Sequence, residues 1–142
     1  VSEVIEKPYV FDRERVVTLV FVGNPHCVTF VPRTDTVSVG RIGRIMCGSD
    51  LFTDGANIEF VEILGRNEIK MRVYERGSGE TLGCGSGACA AVAAAIKTGR
   101  VSDSEVVVRM RGGQVKVGVE NEKVFLTGGA NEVFTGDMKI EI

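Results

Sequence analysis

The segment RGSGETLGCGSG at 76–87 runs straight into ACAAVAAAIKTGR at 88–100, and that junction constrains the fold more than any other part of the chain. Five of the first twelve residues are glycine, so the loop exposes backbone amides and turns easily. The run that follows is the strongest helix former in the sequence. Alanines at 88, 90, 91, 93, 94 and 95 cover every face of a predicted helix over 87–98, with Val92 and Ile96 as its only larger apolar groups and Lys97 as its only charge. A surface helix ordinarily carries Glu or Lys along one side. Lacking that side, this helix is expected to be buried all round, with small side chains that let neighbouring strands approach closely. The expected architecture is a curved sheet wrapped around a central alanine-rich helix, ending at Gly99 with Lys97 placed favourably in the last turn.

Strand signals surround that helix. Residues 15–22 (RVVTLVFV) and 27–31 (CVTFV) flank the turn Gly23-Asn24-Pro25, and 57–64 with 68–75 form a predicted hairpin about Gly65-Arg66-Asn67. Beyond the helix, 105–110, 114–119, 123–127 and 131–141 read as short strands punctuated by Gly-Gly, Asn-Glu and Gly-Gly-Ala turns. Val39, Ile42, Ile45 and Met46 recur at helical spacing in 36–47, with Asp35 or Thr36 as N-cap and two glycines weakening the pattern. The fold class is α+β, with a curved mixed or antiparallel sheet. At 142 residues, the chain is expected to be a single domain over 1–142.

Composition removes several function classes. Hydrophobic residues at 44% and charged ones at 25% describe an ordinary globular chain. Seventeen basic and nineteen acidic residues leave a net charge of −2, so no positive field draws in nucleic acid or an anionic membrane. No apolar run approaches the ~20 residues needed to span a bilayer. The opening VSEVIEKPYVF carries Glu3, Glu6 and Lys7 and lacks an apolar h-region, which argues against a secretory signal. Its first residue is not methionine, which points to a processed chain or a fragment. Cys27, Cys47, Cys84 and Cys89 show no disulfide framework, so reduced thiols and a cytoplasmic location are expected.

The same residues argue against cofactors. His26 is the sole histidine and no Cys-x-x-Cys pair exists, so a metal set is not expected. No lysine is placed for a Schiff base with pyridoxal phosphate. Gly85-x-Gly87-x-x-Ala90 with Glu105 mimics a dinucleotide fingerprint, yet polar and glycine residues separate it from the preceding strand.

Cys84 carries the chemistry. It lies at the start of the predicted buried helix, where unpaired N–H groups and the helix dipole favour negative charge. That setting is expected to lower its pKa toward neutrality and make it a candidate base or nucleophile. The same N–H groups can hold a carboxylate, so the site is suited to removing a proton from a carbon next to one. Glu75, Arg76 and Glu80 are expected to converge on the loop.

GNPHCVTFV (23–31) and ERGSGETLGCGSGACAAVAAAI (75–96) together resemble the carboxy-terminal half of diaminopimelate epimerase, over nearly the whole chain. The resemblance implies a cofactor-independent isomerase that interconverts LL- and meso-diaminopimelate for lysine and peptidoglycan synthesis. It implies two similar α+β halves, each wrapped about a helix, with one catalytic cysteine from each half acting on opposite faces of the α-carbon. By position, Cys84 matches the family's catalytic cysteine, and Gly85 and Ser86 its amide donors to the reacting carboxylate, with Ser86 where threonine is common. Asn24 matches a substrate-binding asparagine and His26 a histidine that organises the catalytic site. Asn57 matches an asparagine at the distal end of the substrate. Glu75 matches a catalytic-site carboxylate, and Arg76 a partner of the distal carboxylate.

The resemblance also implies a partner, since the amino-terminal half with its own cysteine is not among these residues. Cys47-Gly48-Ser49 is a poor substitute, because Asp50-Leu51-Phe52 follows it. The half is expected to be inactive alone, and a homodimer stays open. Two other readings stand beside this one: another cofactor-independent racemase of the same fold, such as a proline-racemase-like protein, and a non-catalytic binding module.

Overall fold

The computed structural model describes residues 5–102, 104–121 and 123–141. The first four residues of the opening stretch, Glu3 among them, lie outside that set. Among the described residues nine strands are formed: β1 (Lys7–Val10), β2 (Glu14–Phe21), β3 (Pro25–Phe30), β4 (Asn57–Gly65), β5 (Glu68–Glu75), β6 (Gly79–Thr81), β7 (Glu105–Met110), β8 (Gly113–Glu120) and β9 (Lys123–Thr127). Two α-helices, α1 (Val39–Cys47) and α2 (Gly85–Lys97), interrupt them. The sheet runs β1-β2-β3-β4-β5-β7-β8-β9, with β6 pairing the free end of β5.

The sheet is mixed for a topological reason. β3 pairs β4 in parallel and β5 pairs β7 in parallel, while the other neighbours are antiparallel. Parallel neighbours need a crossover segment, and α1 and α2 are those two crossovers. They lie on opposite faces. The period-two alternation of β4 sends Ile58 and Phe60 into the cluster with Val39, Ile42 and Met46 of α1. Val61 points the other way, to a cluster of Val28, Ile69, Met71, Val73 and the alanines of α2. Each fully buried Ile, Phe or Met contributes roughly 1.5–3 kcal/mol of transfer free energy.

α2 is buried all round, as its composition predicts: Gly87 through Val92, Ala94 and Ala95 are all buried. It packs against β2, β3, β4, β5, β7, β8 and β9, so the sheet wraps it. Thr98 caps its C-terminus and Gly99 follows at φ +69°.

α1 starts later than its sequence pattern suggests. Thr34–Thr36 form a separate 3-10 turn and Ser38 is the N-cap, replacing Asp35 or Thr36. Ile45 is 39% exposed, and Gly43 takes its place in the buried stripe. A methyl at Gly43 would lie 2.4 Å from Tyr74 Cβ. The glycine that weakens the helix signal is therefore the one that lets α1 sit against β5.

Two strand expectations change. Lys7–Val10 forms β1 along β2, which the sequence pattern does not announce. Residues 131–141 form no strand: Val133 and Phe134 are 88% and 83% exposed. Their alternation satisfies the local requirement for a strand, yet a strand also needs a ladder partner, and among the described residues they have none.

Candidate active site

The start of β3, the start of β4 and the end of β5 meet at one rim of the sheet, because β3 and β4 run in parallel and β5 returns antiparallel. The alternation that turns Val28, Val61 and Val73 toward α2 turns His26, Asn57, Glu59 and Glu75 the same way. The first turn of α2 starts at this rim, so its unpaired amides face these polar groups.

Cys84 is the N-cap of α2. Its backbone is extended (φ −142°, ψ 118°), and its Sγ accepts a hydrogen bond from Gly87 N–H at 3.3 Å, the role usually filled by a Ser or Asp oxygen. Ser86 Oγ lies 3.5 Å from the same sulfur. Cys84 O accepts from Ala88 N at 2.9 Å. The N–H groups of Gly85 and Ser86 precede the first that the helix can satisfy internally.

Next to the sulfur lies a buried chain of hydrogen bonds. Asn24 Oδ1 is 3.0 Å from His26 Nε2, and His26 Nδ1 is 2.6 Å from Glu59 Oε1. His26 and Glu59 have fully buried side chains. A methyl at Gly87 would stand 2.8 Å from Glu59 Oε1 and 3.3 Å from Cys84 Sγ. That close approach explains why the position is glycine, and it places Glu59 against the same helical turn as Cys84.

The protonation states follow from burial. Loss of water pushes Glu59 up to about 7, partly offset by the His26 hydrogen bond and charge, while Glu75 adds to the rise. Cys84 is raised too, chiefly by burial and further by Glu75 and Glu59. The Ser86 hydroxyl and the Gly87 N–H pull it down without prevailing. This overturns the expectation of a thiolate favoured by the helix end. In this chain Cys84 is held as a thiol, because desolvation and two nearby carboxyl groups outweigh the amides.

The other sequence candidates fall into two groups. Glu75 and Asn57 are at the rim: Thr81 Oγ1 donates to Glu75 Oε1 at 2.5 Å, and Arg76 N donates to Asn57 Oδ1 at 2.9 Å. The Arg76 side chain instead extends to Asp54 O at 3.0 Å and is exposed. Glu80 leaves the cluster altogether. It pairs opposite Tyr74, on the face turned away from α2, and binds Arg72 and Arg111. Cys47 belongs to α1, with its sulfur near Gly55. Among the described residues, no group of three His, Cys, Asp or Glu side chains is arranged to hold a metal.

Glu59 is the residue that sequence reasoning missed. Its signal lay in NIEFVEIL, where positions 57, 59, 61 and 63 share the inward face and one of them is acidic.

The sequence model of diaminopimelate epimerase matches residues 18–133. The chain belongs to the diaminopimelate epimerase family. A diaminopimelate epimerase of Synechocystis is 42% identical over 126 residues, covering 87% of this chain and 45% of that protein. One of Leptospira biflexa is 43% identical over 141 residues, covering 99% of this chain and 48% of its own length. The chain thus spans about half the length of these epimerase relatives. Among solved structures, a hydroxyproline epimerase of Agrobacterium vitis with bound trans-4-hydroxy-L-proline aligns at TM-score 0.59 and 15% identity, over 87% of this chain and 44% of that one. A phenazine biosynthesis PhzF family protein of Enterococcus faecalis aligns at TM-score 0.57 and 15% identity, over 71% and 36%. At such identities the two structures establish a shared fold, that of the diaminopimelate epimerase family, with its strands about a central helix.

Proposed function

We propose that this chain supplies one of the two catalytic thiols of a diaminopimelate epimerase, and that an amino-terminal half of the same enzyme supplies the other. The observation that carries the reading is Cys84 as the sulfur cap of a buried helix, in a chain matching about half of each epimerase relative. The α-carboxylate of diaminopimelate would lie on the Gly85 and Ser86 N–H groups. There the positive end of α2 stabilises the charge that develops as the α-proton leaves.

Epimerisation moves one proton off the α-carbon and one onto its opposite face, so one sulfur must start as thiolate and the other as thiol. Burial holds Cys84 as the thiol at rest, which suits it to deliver the proton in one direction of turnover. It becomes the base in the other. Glu75 and His26 orient the catalytic site, Asn24 and Asn57 hold substrate, and Arg76 meets the distal carboxylate once its side chain leaves Asp54. The chemistry needs neither metal nor pyridoxal phosphate.

The test is hydrogen exchange at the α-carbon of diaminopimelate in D2O. It would be measured with this chain alone, with a separately prepared amino-terminal half, and with both. Exchange and inversion are expected only with both, and are expected to vanish with Cys84→Ser. Inversion that survives that substitution refutes the assignment. A parallel trial with proline and hydroxyproline separates this activity from that of other racemases with the same fold.

A further inference from the structure

Glu59 has no assigned part in the proposed reaction, yet it is the most confined charged residue in the described structure. Its side chain is fully buried, Oε1 lies 2.6 Å from His26 Nδ1, and Oε2 is buried without a hydrogen-bond partner. We propose that Glu59 is a positioning residue for His26: the two side chains hold one proton between Nδ1 and Oε1, and loss of the pair's other proton leaves the ring hydrogen on Nδ1 in place of Nε2.

Three observations lead there. The Asn24 amide oxygen stands 3.0 Å from Nε2, an arrangement that suits a hydrogen on Nε2 with Nδ1 toward Glu59. A separation of 2.6 Å between Nδ1 and Oε1 requires a proton between them. A full carboxylate charge with one oxygen unpartnered would be costly at complete burial, whereas the acid form leaves only a neutral carbonyl oxygen unpaired. The resting pair is therefore the Glu59 acid donating to a neutral His26 that carries its hydrogen on Nε2. Burial pushing Glu59 up to about 7 agrees with that state.

When the Nε2 proton leaves to solvent, the proton between Oε1 and Nδ1 settles on Nδ1, so Glu59 becomes a carboxylate and the neutral imidazole keeps its one hydrogen facing Oε1. Nε2 is then bare, and the Asn24 amide turns its nitrogen toward it. The pair has gained one negative charge beside Cys84. The titratable groups that face Glu59 are His26 on β3, Glu75 on β5 and Cys84 at the start of α2, with Cys27 on the far face of β3. None of the four carries a positive charge in this state, so the change is not masked by a nearby cation. The inference rests on the proposed function only in treating His26 as part of the catalytic site.

His26 is the chain's single histidine, so its imidazole nitrogens give unique signals in the 15N-labelled 142-residue chain. Hydrogen on Nε2 is expected at about pH 6 and on Nδ1 at about pH 8, with a reversal of the two nitrogen shifts between them. Glu59→Gln should abolish the reversal, leaving one tautomer throughout. The proposal is overturned if the wild-type ring keeps one tautomer over that range, or if the variant reverses as wild type does. Should Glu59→Gln fail to fold, His26→Gln offers a second reading through the Glu59 side-chain carboxyl carbon. Without the stabilising ring, the Glu59 midpoint should rise by about one unit or more, and an unchanged midpoint refutes the pairing. Neither readout involves diaminopimelate, so failure of the proposed epimerisation would leave these results standing, and the reverse.

Discussion

Replacing Glu59 by glutamine should alter how the stability of this chain depends on pH, with a sign set by burial and a size of order a few kcal/mol. In the unfolded chain Glu59 titrates near 4.5, and in the fold burial moves it to about 7. Between those values the folded state keeps a proton that the unfolded state has released. Stability from this group is therefore complete below about pH 4.5, falls as pH rises, and levels off above about 7. At about 1.4 kcal/mol per unit, the loss is about 3 kcal/mol. Asp12, held low by the Arg15 hydrogen bond, works in the opposite sense at more acid pH, so the wild-type curve alone does not isolate Glu59. The difference between wild type and Glu59→Gln does, because the other groups largely cancel. Urea unfolding followed by circular dichroism from about pH 4.5 to 8 should show the variant gaining about 3 kcal/mol relative to wild type across that range. A flat difference curve, or one of opposite slope, refutes the claim that Glu59 folds in its acid form.

Three further outcomes follow from the surroundings of Gly87, Gly43 and Cys84. Gly87→Ala should destabilise the chain by roughly 1–3 kcal/mol despite the better helix propensity of alanine, since its methyl would meet Glu59 Oε1 at 2.8 Å; a urea midpoint at or above wild type refutes this. Gly43→Ala should cost at least as much, with its methyl 2.4 Å from Tyr74 Cβ; thermal unfolding within about 0.5 kcal/mol of wild type, the range of surface substitutions, contradicts it. Cys84 should be alkylated by iodoacetamide more slowly at pH 7 than an unhindered cysteine peptide, and Glu75→Gln should speed the reaction because Glu75 raises the thiol. A rate insensitive to that substitution counts against the electrostatic coupling.

Much of the fold was legible because it rests on local patterns. The six alanines between 88 and 95 required a container, and the two alternating segments around Arg66-Asn67 required a hairpin. The opposed positions of α1 and α2 were harder to read, since they depend on which strands pair in parallel, a long-range property absent from any window of sequence. The expected strand at 131–141 failed for the same reason. In the site, Cys84 and its glycines could be located by spacing alone, whereas the ionisation of the sulfur could not. The helix amides that lower it adjoin Cys84 in sequence, but the burial and the carboxyl groups that raise it come from β4 and β5.

Strand alternation accounts for the fates of the acidic residues around this rim. Glu59 and Glu75 occupy positions of β4 and β5 that face α2, so both act on Cys84. Glu62 is on the other face of β4 and accepts from Thr34 N and Oγ1 ahead of α1. Glu80 follows Tyr74 to the same outer side and pairs with Arg72. A shift of one residue in the register of β4 would exchange Glu59 for an apolar neighbour and leave His26 Nδ1 without its partner. The hairpin that fixes this register at Arg66-Asn67 lies at the opposite end of the strands from Cys84, yet it determines which carboxyl group the sulfur meets.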